Sequence, residues 1–409
     1  MVTTPAPTSG STRPDPSASD PGTVLPKPAE SRLRTRRRRP SRRVVLLVLA
    51  VLLAPPLWSY TTTMMQPSSL PLRVRSVEWV RSHHGAWLVD LSEHVWYGWL
   101  HAPKARGPAA KAIPALALPV TTPRRSSSWL PPRVPGVITP ALPGEGVWRP
   151  TGPDLHGGPP VLVTEFRPEA NYPRTFAYVA WFDHTRTQLA FYPGRYEPPA
   201  AAVRGPMKVP MGERSRLLAT FNAGFIYSDG HNGSSDNGRT NEPLKKGLAT
   251  LVGYRDGRVD VVTWEGGRDP GPAYAFTRQS LPPILWNGRL NPALNDSSKW
   301  GATLGNRVRV WRTGVGIDRR GNVIFAAASG QTVESLARLL RHAGAVKAMQ
   351  FDINPEWPSL IAYRHDPQLV PLKIVPNWQQ TARRYLVPDD RDFFAVYARM
   401  PGPVTVPFE

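Results

Sequence analysis

The sequence predicts an α/β (α+β) fold, with a mixed, strand-rich sheet and a crossover helix, preceded by a transmembrane helix and a helical hairpin. Three observations lead to this prediction. Residues 308–351 contain two apolar strand patterns, a helix pattern with one apolar face, and a further strand pattern. Short apolar runs separated by turn residues recur from residue 160 onward. An uncharged apolar run at 44–60 follows an arginine-rich segment.

The composition excludes some functional classes and favours others. The chain has 409 residues and no cysteine, which excludes disulfides, thiol catalysis and cysteine-ligated zinc. A domain of this size buries a core without disulfides, so an extracellular site stays open. The net charge of +21 favours anionic partners such as polyphosphate polymers, acidic lipids or nucleic acid. The alternative is that this charge serves only solubility in an arginine-rich protein.

Residues 1–43 are predicted to form a disordered, basic, cytoplasmic tail. They are rich in Pro, Ser, Thr and Ala, end in an arginine run at 32–43, and contain almost no large apolar side chains to bury. Because an apolar run directly follows the arginines, contact with anionic lipid headgroups is favoured and no nucleic-acid partner is predicted. The arginines predict that the N-terminus stays cytoplasmic.

Residues 44–65 are predicted to be a transmembrane signal anchor. The run carries no charge, and Trp58 and Tyr60 are placed for the outer membrane interface. A cleaved signal peptide is the alternative, but such a peptide rarely follows a tail of about 40 residues, and no clean A-x-A cleavage site follows. The prediction is therefore a single-pass protein of the cell membrane with an extracellular C-terminal domain.

Two segments are predicted between the anchor and the main domain. Residues 66–100 have the apolar spacing of a helical hairpin broken at Gly85. The tryptophans of this hairpin either rest on the membrane interface or dock on the main domain as core, and docking is the favoured alternative. Residues 101–147 are rich in Pro, Ala, Gly and Ser and are predicted to be a linker or an extended wrap.

The main domain, at 148–409, is predicted to be strand-rich. Its clearest helix lies at 333–343, with one apolar face and Gly344 at the C-cap position. Strand, helix and strand in succession form a crossover unit, so part of the sheet is expected to be parallel or mixed. The predicted strands are 161–166, 175–182, 187–194, 216–225, 248–254, 258–264, 308–317, 323–328, 345–351, 372–375 and 393–397.

Polar residues concentrate at three predicted strand ends. A packed scaffold that places polar groups at such ends usually uses them for binding or catalysis. If the three ends converge, they offer carboxylates, an amide, an arginine and a hydroxyl to one site. The candidate residues are Asn222 and Gly224 at the first end, Arg312 and Thr313 at the second, and Asp352, Asn354, Glu356 and Trp357 at the third.

Each candidate has a chemical role and a structural alternative. Arginine suits bidentate recognition of phosphate, but Arg312 is equally expected as a surface charge on a hairpin. A carboxylate pair is the usual equipment for glycoside cleavage, but Asp352 also fits a turn before Pro355. Trp357 would stack on a sugar ring. The polar loop at 228–242 is expected to be solvated and flexible, with a lid or a calcium loop as alternatives.

No cofactor motif is visible in the sequence. A phosphate-binding P-loop and a dinucleotide glycine motif are both missing, and the acidic residues of the loop at 228–242 do not match EF-hand spacing. The cofactor is therefore unknown, no metal ligands are assigned, and a divalent cation is possible but unsupported.

The ordered set of these motifs resembles the phosphodiester glycosidase family, which is related to the enzyme that uncovers mannose 6-phosphate by removing N-acetylglucosamine. The resemblance covers roughly residues 160–365. Its motifs, in the family's order, are residues 221–225, 247–251, 312–316 and 332–337. The chain is also similar to a membrane-anchored bacterial branch of the family, which shares residues 77–79, 96–97, 300–305 and 352–355.

The resemblance implies a membrane-anchored extracytoplasmic hydrolase that cleaves a sugar-1-phosphodiester in an envelope glycan or sugar-phosphate polymer. Arg312 would clamp the phosphate, Asp352 or Glu356 would act as general acid or base, and Asn222 would orient a hydroxyl. Much of the family carries D-G-G-G-S where this chain has residues 352–356, so Asp352 is kept and the glycines are lost. The alternative is a catalytically inactive module of the same fold that binds or scaffolds envelope glycan. No obligate protein partner is inferred.

Overall fold

The computed structural model describes residues 41–68, 70–95, 110–113, 129–230, 232–296, 299–300, 309–376 and 380–400. The predicted tail at 1–43 lies almost entirely outside these residues, as do about half of the predicted linker and the end of the predicted hairpin. The chain forms two compact units, Met1–Pro56 and Leu57–Glu409.

The N-terminal helices follow the apolar patterns of the sequence. Helix α1 (Arg42–Met65) is long enough and apolar enough to cross a membrane. At about 1.5 Å per residue its length is about 36 Å. Helix α2 (Leu72–Val80) and helix α3 (Ala86–Val95) are joined by a π-helical turn (Arg81–Gly85) with a kink. Both helices lie within the predicted hairpin segment.

The described part of the main domain contains three sheets, with strands numbered along the chain. Sheet A has the order β1 (Arg149–Pro150), β2 (Val161–Phe166), β3 (Ala177–Phe182), β14 (Val323–Gln331), β13 (Val310–Asp318), β15 (Ala345–Gln350), β11 (Leu285–Trp286) and β12 (Arg289–Leu290). Sheet B has the order β7 (Arg239–Glu242), β6 (Ser234–Asp236), β10 (Tyr274–Gln279), β8 (Ala249–Tyr254) and β9 (Val259–Thr263). Sheet C has the order β17 (Gln368–Lys373), β16 (Leu360–Asp366), β5 (Leu217–Asn222), β18 (Phe393–Ala398) and β4 (Thr187–Tyr192). The remaining helices are α4 (Tyr227–Gly230) and α5 (Val333–His342), with 3₁₀ turns at Met211–Arg216 and Pro292–Asn295.

The strand-rich α/β class and its crossover helix are confirmed, with one difference in strand pairing. Helix α5 connects β14 to β15, and these two strands run parallel to each other. They are not neighbours, because β13 forms a hairpin with β14 and pairs with β15 on its other edge. As a result, every strand pair within the described residues is antiparallel.

Helix α5 forms because one of its faces is apolar and because both of its ends are capped. Thr332 is the N-cap, and its hydroxyl accepts a hydrogen bond from the Ser335 backbone N–H at 2.9 Å. The Ser335 hydroxyl in turn accepts from the Thr332 N–H at 2.9 Å, which completes a capping box. Gly344 follows the helix with a φ of 107°, a conformation that favours glycine.

Two cores flank sheet A. On one face, apolar side chains of sheet A pack with those of sheets B and C, around a group of aromatic rings. The ring centroid of Phe221 lies 4.8 Å from that of Phe325 and 5.4 Å from that of Phe394. On the other face, Leu336 and Leu340 of α5 pack on the sheet. This central core aligns the ends of β5, β13 and β15.

Helix α2 docks on the main domain as core. Its residue Val74 and the preceding Leu70 are buried together with Trp357. Full burial of such side chains contributes about 1.5–3 kcal/mol each. The docking residues are aliphatic, whereas the hairpin tryptophan Trp87 is 68% exposed, so docking of the tryptophans stays a prediction.

Candidate active site

The three predicted strand ends converge on the hydroxyl of Thr313. Asn222, the last residue of β5, donates from Nδ2 to Thr313 Oγ1 at 3.0 Å. Thr313 Oγ1 accepts from the Asp352 backbone N–H at 3.0 Å and donates to the Asp352 carbonyl at 3.2 Å. The Asn222 side-chain oxygen accepts from the Ser359 N–H at 3.0 Å. Asn222 and Thr313 therefore join the ends of sheets A and C.

Arg312 extends to the opposite face of the sheet from the Thr313 hydroxyl. Side chains alternate along a strand, and Val315, on the same side as Thr313, lies in the central core. The Arg312 guanidinium is 3% exposed and donates to the Gln331 carbonyl at 2.9 Å and to Gln350 Oε1 at 2.7 Å. Burial lowers the pKa of Arg312 to about 10. The structure therefore places the Arg312 guanidinium apart from the Asp352 carboxyl group, on the other face of the sheet.

Asp352 is buried, forms a turn and has a charge partner. Its Oδ1 accepts from the Asn354 N–H at 2.8 Å, which is the turn predicted as its structural alternative. Its Oδ2 accepts from Arg391 Nη2 at 3.0 Å. Burial raises the pKa of Asp352, and the positive charge of Arg391 only partly offsets this effect. The carboxyl is thus held closer to protonation than an exposed aspartate.

The rest of the Asp352 loop is a second turn followed by a buried ring. The Asn354 side-chain oxygen accepts from the Glu356 N–H at 2.9 Å, and both residues are half-buried. Trp357 is 1% exposed, and the Arg391 guanidinium lies over its ring at 4.5 Å from the centroid. The ring is covered in this arrangement, so the predicted stacking of Trp357 on a sugar would need the loop to open.

Asp352 belongs to a group of charged residues, and the sequence did not predict its other members. We call it the acid–arginine cluster; its members are Asp352, Arg391, Glu197, Asp392 and Arg278. Arg278 Nε donates to Asp392 Oδ2 at 2.6 Å. The Arg391 guanidinium interacts electrostatically with Asp352, Glu197 and Asp392. The cluster therefore combines two guanidinium groups and three carboxyl groups in one buried region.

Tyr227 and Gly224 hold the Arg278 end of the cluster. The Arg278 guanidinium lies 4.1 Å from the centroid of the Tyr227 ring, and the Tyr227 hydroxyl donates to Asp392 Oδ2 at 3.1 Å. A Cβ added at Gly224 would lie 3.5 Å from Arg278 Cζ. Gly224, predicted to bind substrate, therefore lies against the guanidinium of Arg278.

Glu197 is the member of the cluster whose proton is most easily exchanged at neutral pH. Burial raises the pKa of Glu197 to about 7, against the opposing charge of Arg391. Its Oε2 accepts from the Tyr227 backbone N–H at 3.1 Å. A carboxyl with such a pKa is present in both protonation states near pH 7, as general acid–base chemistry requires.

Comparison with known proteins identifies the domain. Residues 201–352 match the family model described as phosphodiester glycosidase. This part of the chain is similar to phosphodiester glycosidases, and we call it the phosphodiester glycosidase domain for that similarity. The match includes Asn222, Gly224, Arg278, Arg312 and Asp352 and covers less than half of the chain.

Solved structures add only distant likenesses. The zebrafish N-acetylglucosamine-1-phosphodiester α-N-acetylglucosaminidase catalytic domain, auto-inhibited by its pro-peptide, is 16% identical with a TM-score of 0.41, over 60% of this chain and 86% of that one. A Synechocystis protein is 14% identical with a TM-score of 0.32, over 59% of this chain and 62% of that one. No curated protein matches the sequence.

The phosphodiester glycosidase domain has a structured segment where the sequence predicted a solvated loop at 228–242. Apart from residue 231, this segment is described and contains the end of α4 and strands β6 and β7. Strand β6 is buried because it pairs with β10. Asn232 is 3% exposed, and neither polar atom of its side chain has a hydrogen-bond partner among the described residues. Such a buried, unpartnered amide is available to a ligand.

The residues missed from the sequence carried weak signals or none. The run Asp389–Asp392 places four charges directly before the buried strand β18, and Arg278 places a charge within the largely buried strand β10. A charged residue beside a buried strand needs a partner, so these two signals were open to detection. Glu197 lies in a Pro-rich loop without any distinguishing pattern. Within the described residues, no group of three or more His, Asp or Glu residues is placed to hold a metal ion.

Proposed function

We propose that the chain is a membrane-anchored extracytoplasmic hydrolase that cleaves a sugar-1-phosphodiester in an envelope glycan or sugar-phosphate polymer. The observation that carries this proposal is the acid–arginine cluster, of which Arg278 and Asp352 lie within the matched residues 201–352. Guanidinium groups recognise phosphate, and neighbouring carboxyl groups can exchange protons with the reacting atoms.

The proposed reaction is hydrolysis at the anomeric carbon. Water attacks this carbon, the bond between the carbon and the phosphate oxygen breaks, and the products are a free sugar and a phosphomonoester. Asp352 donates a proton to the departing phosphate oxygen, since burial favours its protonated form. Glu197 accepts the proton of the attacking water. Arg391 lies beside Asp352 and would stabilise charge on the phosphate, the role first expected of Arg312.

The proposed location rests on the N-terminal segment. Helix α1 has the length and hydropathy of a membrane span, and the arginine run precedes it in the sequence. Basic residues at one end of a span favour the cytoplasmic side for that end. The phosphodiester glycosidase domain would then act outside the cell membrane. No nucleic-acid partner and no obligate protein partner is proposed.

The test uses the full chain reconstituted in lipid nanodiscs. Purified envelope polymers and a panel of synthetic sugar-1-phosphate diesters are offered, and free sugar and phosphomonoester are measured together. Asp352→Asn is expected to lower the rate by about two to four orders of magnitude, because it removes the proton donor. Asp256→Asn is the matched control, since this carboxylate is 52% exposed and pairs only with the surface residue Arg258.

Two outcomes would contradict the enzyme proposal. An unchanged rate in Asp352→Asn would remove the assigned proton donor. Glycan binding without turnover over the whole panel would favour the inactive binding or scaffolding module. The closed turn over Asp352, which is 4% exposed, favours that alternative, because a substrate must first open this loop.

A further inference from the structure

Helix α2 runs back along the outer end of α1. The Tyr60 hydroxyl lies 2.8 Å from Ser76 Oγ. Closer to the start of α1, Ser59 Oγ accepts from Trp79 Nε1 at 3.1 Å and lies 3.0 Å from His83 Nε2. Residues later in α2 therefore contact residues earlier in α1, so the two helices are antiparallel.

Arg75 stabilises the antiparallel arrangement of α1 and α2. Its side chain is 6% exposed, and its guanidinium donates to the Met64 carbonyl at 2.9 Å and to the Thr63 carbonyl. A cation at the last carbonyl groups of a helix also interacts favourably with the helix dipole. Helix α1 ends at Met65, and His83 contacts Ser59, six residues before that end. The chain has therefore run back along α1 by about 9 Å when it reaches His83.

Helix α3 starts at this level and exposes an apolar face. The kink before it includes His84, with a φ of 64°. Trp87 is 68% exposed, Leu88 49% and Leu91 56%, while Val89 on the other side is 5% exposed. Exposed residues at i, i+1 and i+4 share one face of a helix. A tryptophan and two leucines together form an apolar patch of the kind that marks an interaction surface.

The patch lies where the apolar run of α1 ends. Ser59 follows Trp58 directly, and the residues from Ser59 to Thr63 are hydroxyl-bearing, so the sequence changes from apolar to polar at this level. Trp58 is 74% exposed. Tryptophan side chains at such a change favour the interface between headgroups and acyl chains.

We propose that α3 lies in the outer interface of the bilayer that α1 spans, with Trp87, Leu88 and Leu91 in contact with lipid. The inference rests on the proposed anchoring through α1. Lipid is the occupant that this position provides, because the patch is level with the end of the span and is separated from it by the short, tightly bonded return of α2. A helix with an exposed apolar face at the surface of a bilayer can lie in the interface plane with that face in contact with lipid.

The absence of cysteine permits a direct test on the full chain. A spin label is attached to Leu91→Cys in nanodiscs of phosphatidylglycerol and phosphatidylcholine, and its accessibility to oxygen is compared with that to a water-soluble nickel complex. Leu49→Cys, within α1, reports anchoring separately. Met211→Cys is the matched control, since Met211 is a 71% exposed apolar residue of the main domain.

The expected result is a several-fold higher ratio of oxygen to nickel accessibility at Leu91→Cys than at Met211→Cys, in the same direction as at Leu49→Cys. A lipid-like signal at Leu49→Cys with an aqueous signal at Leu91→Cys would overturn the inference while leaving the anchor intact. A Leu91→Cys label shielded from both reagents would also overturn it, because protein would then cover the patch. Aqueous signals at both positions would overturn the anchoring itself.

Discussion

Two buried acid–arginine pairs of the main domain have similar composition and opposite electrostatics. In the first, Glu145 accepts from three nitrogens of Arg167, the backbone N at 2.8 Å, Nε at 3.0 Å and Nη2 at 2.8 Å, and from the Leu142 N–H at 2.7 Å. Burial acts to raise the pKa of Glu145, but these hydrogen bonds outweigh it and the pKa is lowered. Glu145 therefore stays ionised and fastens residues 133–147 to the end of β2.

In the second pair, Asp352 has fewer donors. It accepts from Arg391 Nη2 at 3.0 Å and from the Asn354 N–H at 2.8 Å, and burial keeps its pKa raised. Arg391 divides its charge among several carboxyl groups. The difference teaches that many donors can hold the pKa of a buried acid low, as suits a structural role, whereas fewer donors leave the pKa raised, as suits proton exchange.

Breaking the first pair is expected to have the largest effect on stability. Glu145→Ala leaves the Arg167 charge buried and unpaired, and the free energy of unfolding should fall by about 3–5 kcal/mol. Chemical denaturation followed by tryptophan fluorescence measures this change. The rate per folded molecule should be unchanged; a cost below about 1 kcal/mol would show that the pair does not fasten the segment.

Breaking the second pair is expected to affect substrate affinity more than folding. Arg391→Gln removes one guanidinium from the proposed phosphate site, which should raise KM about 10- to 100-fold, the value of one charge-assisted hydrogen bond. Arg312→Gln is the matched control, because this arginine extends to the other face of the sheet. Equal KM changes in both variants would contradict the assignment of faces.

A third acid–arginine pair, Glu165 with Arg149, is expected to make the free energy of unfolding depend on pH. Glu165 is fully buried, pairs with Arg149 at 3.0 Å, and its Oε2 has no hydrogen-bond partner among the described residues. Burial raises the pKa of Glu165 to about 7. The folded state therefore holds a proton that the unfolded chain releases above about pH 4.5, so the free energy of unfolding should fall as pH rises from about 4.5 to 7, by on the order of 2 kcal/mol.

Denaturation at a series of pH values checks this prediction. Glu165→Gln should flatten the decline, because glutamine does not titrate. A slope that is the same in Glu165→Gln and the parent chain would assign the decline to other groups.

The smallest effect is expected for an exposed pair. Glu334 and Arg338 form an i, i+4 pair on the surface of α5. Glu334→Gln should change the free energy of unfolding by less than about 0.5 kcal/mol, since solvent screens such a pair. A larger loss in the same denaturation assay would contradict the distinction between buried and exposed pairs.

The sequence predicted the features that depend on local pattern. Helix α5 and its flanking strands follow from apolar periodicity and capping residues, and the meeting of Asn222, Thr313 and Asp352 follows from polar residues at strand ends. The sequence did not predict that β13 lies antiparallel between β14 and β15. A strand–helix–strand pattern does not determine how many strands separate the two strands that the helix connects.

The side-chain arrangement of the site was only partly predictable. The alternation of β13 places Arg312 and Thr313 on opposite faces, but glycines at 314 and 316 hide which face is buried. Glu197 and Arg391 come from loops far apart in the sequence, and no local pattern relates them. Strand β6 was expected to be solvated because its residues are polar, and their partners in β7 and β10 become visible only in the fold.

The contact of Trp357 with Leu70 and Val74 limits how far the candidate active site can move from the end of α1. The same ring packs under Arg391 and against the segment that continues from α1. If α1 is the anchor, the reacting groups are held close to its end by a short, packed segment and not by a long flexible linker. Under the proposed function, such a segment would keep the site within reach of linkages close to the lipid surface.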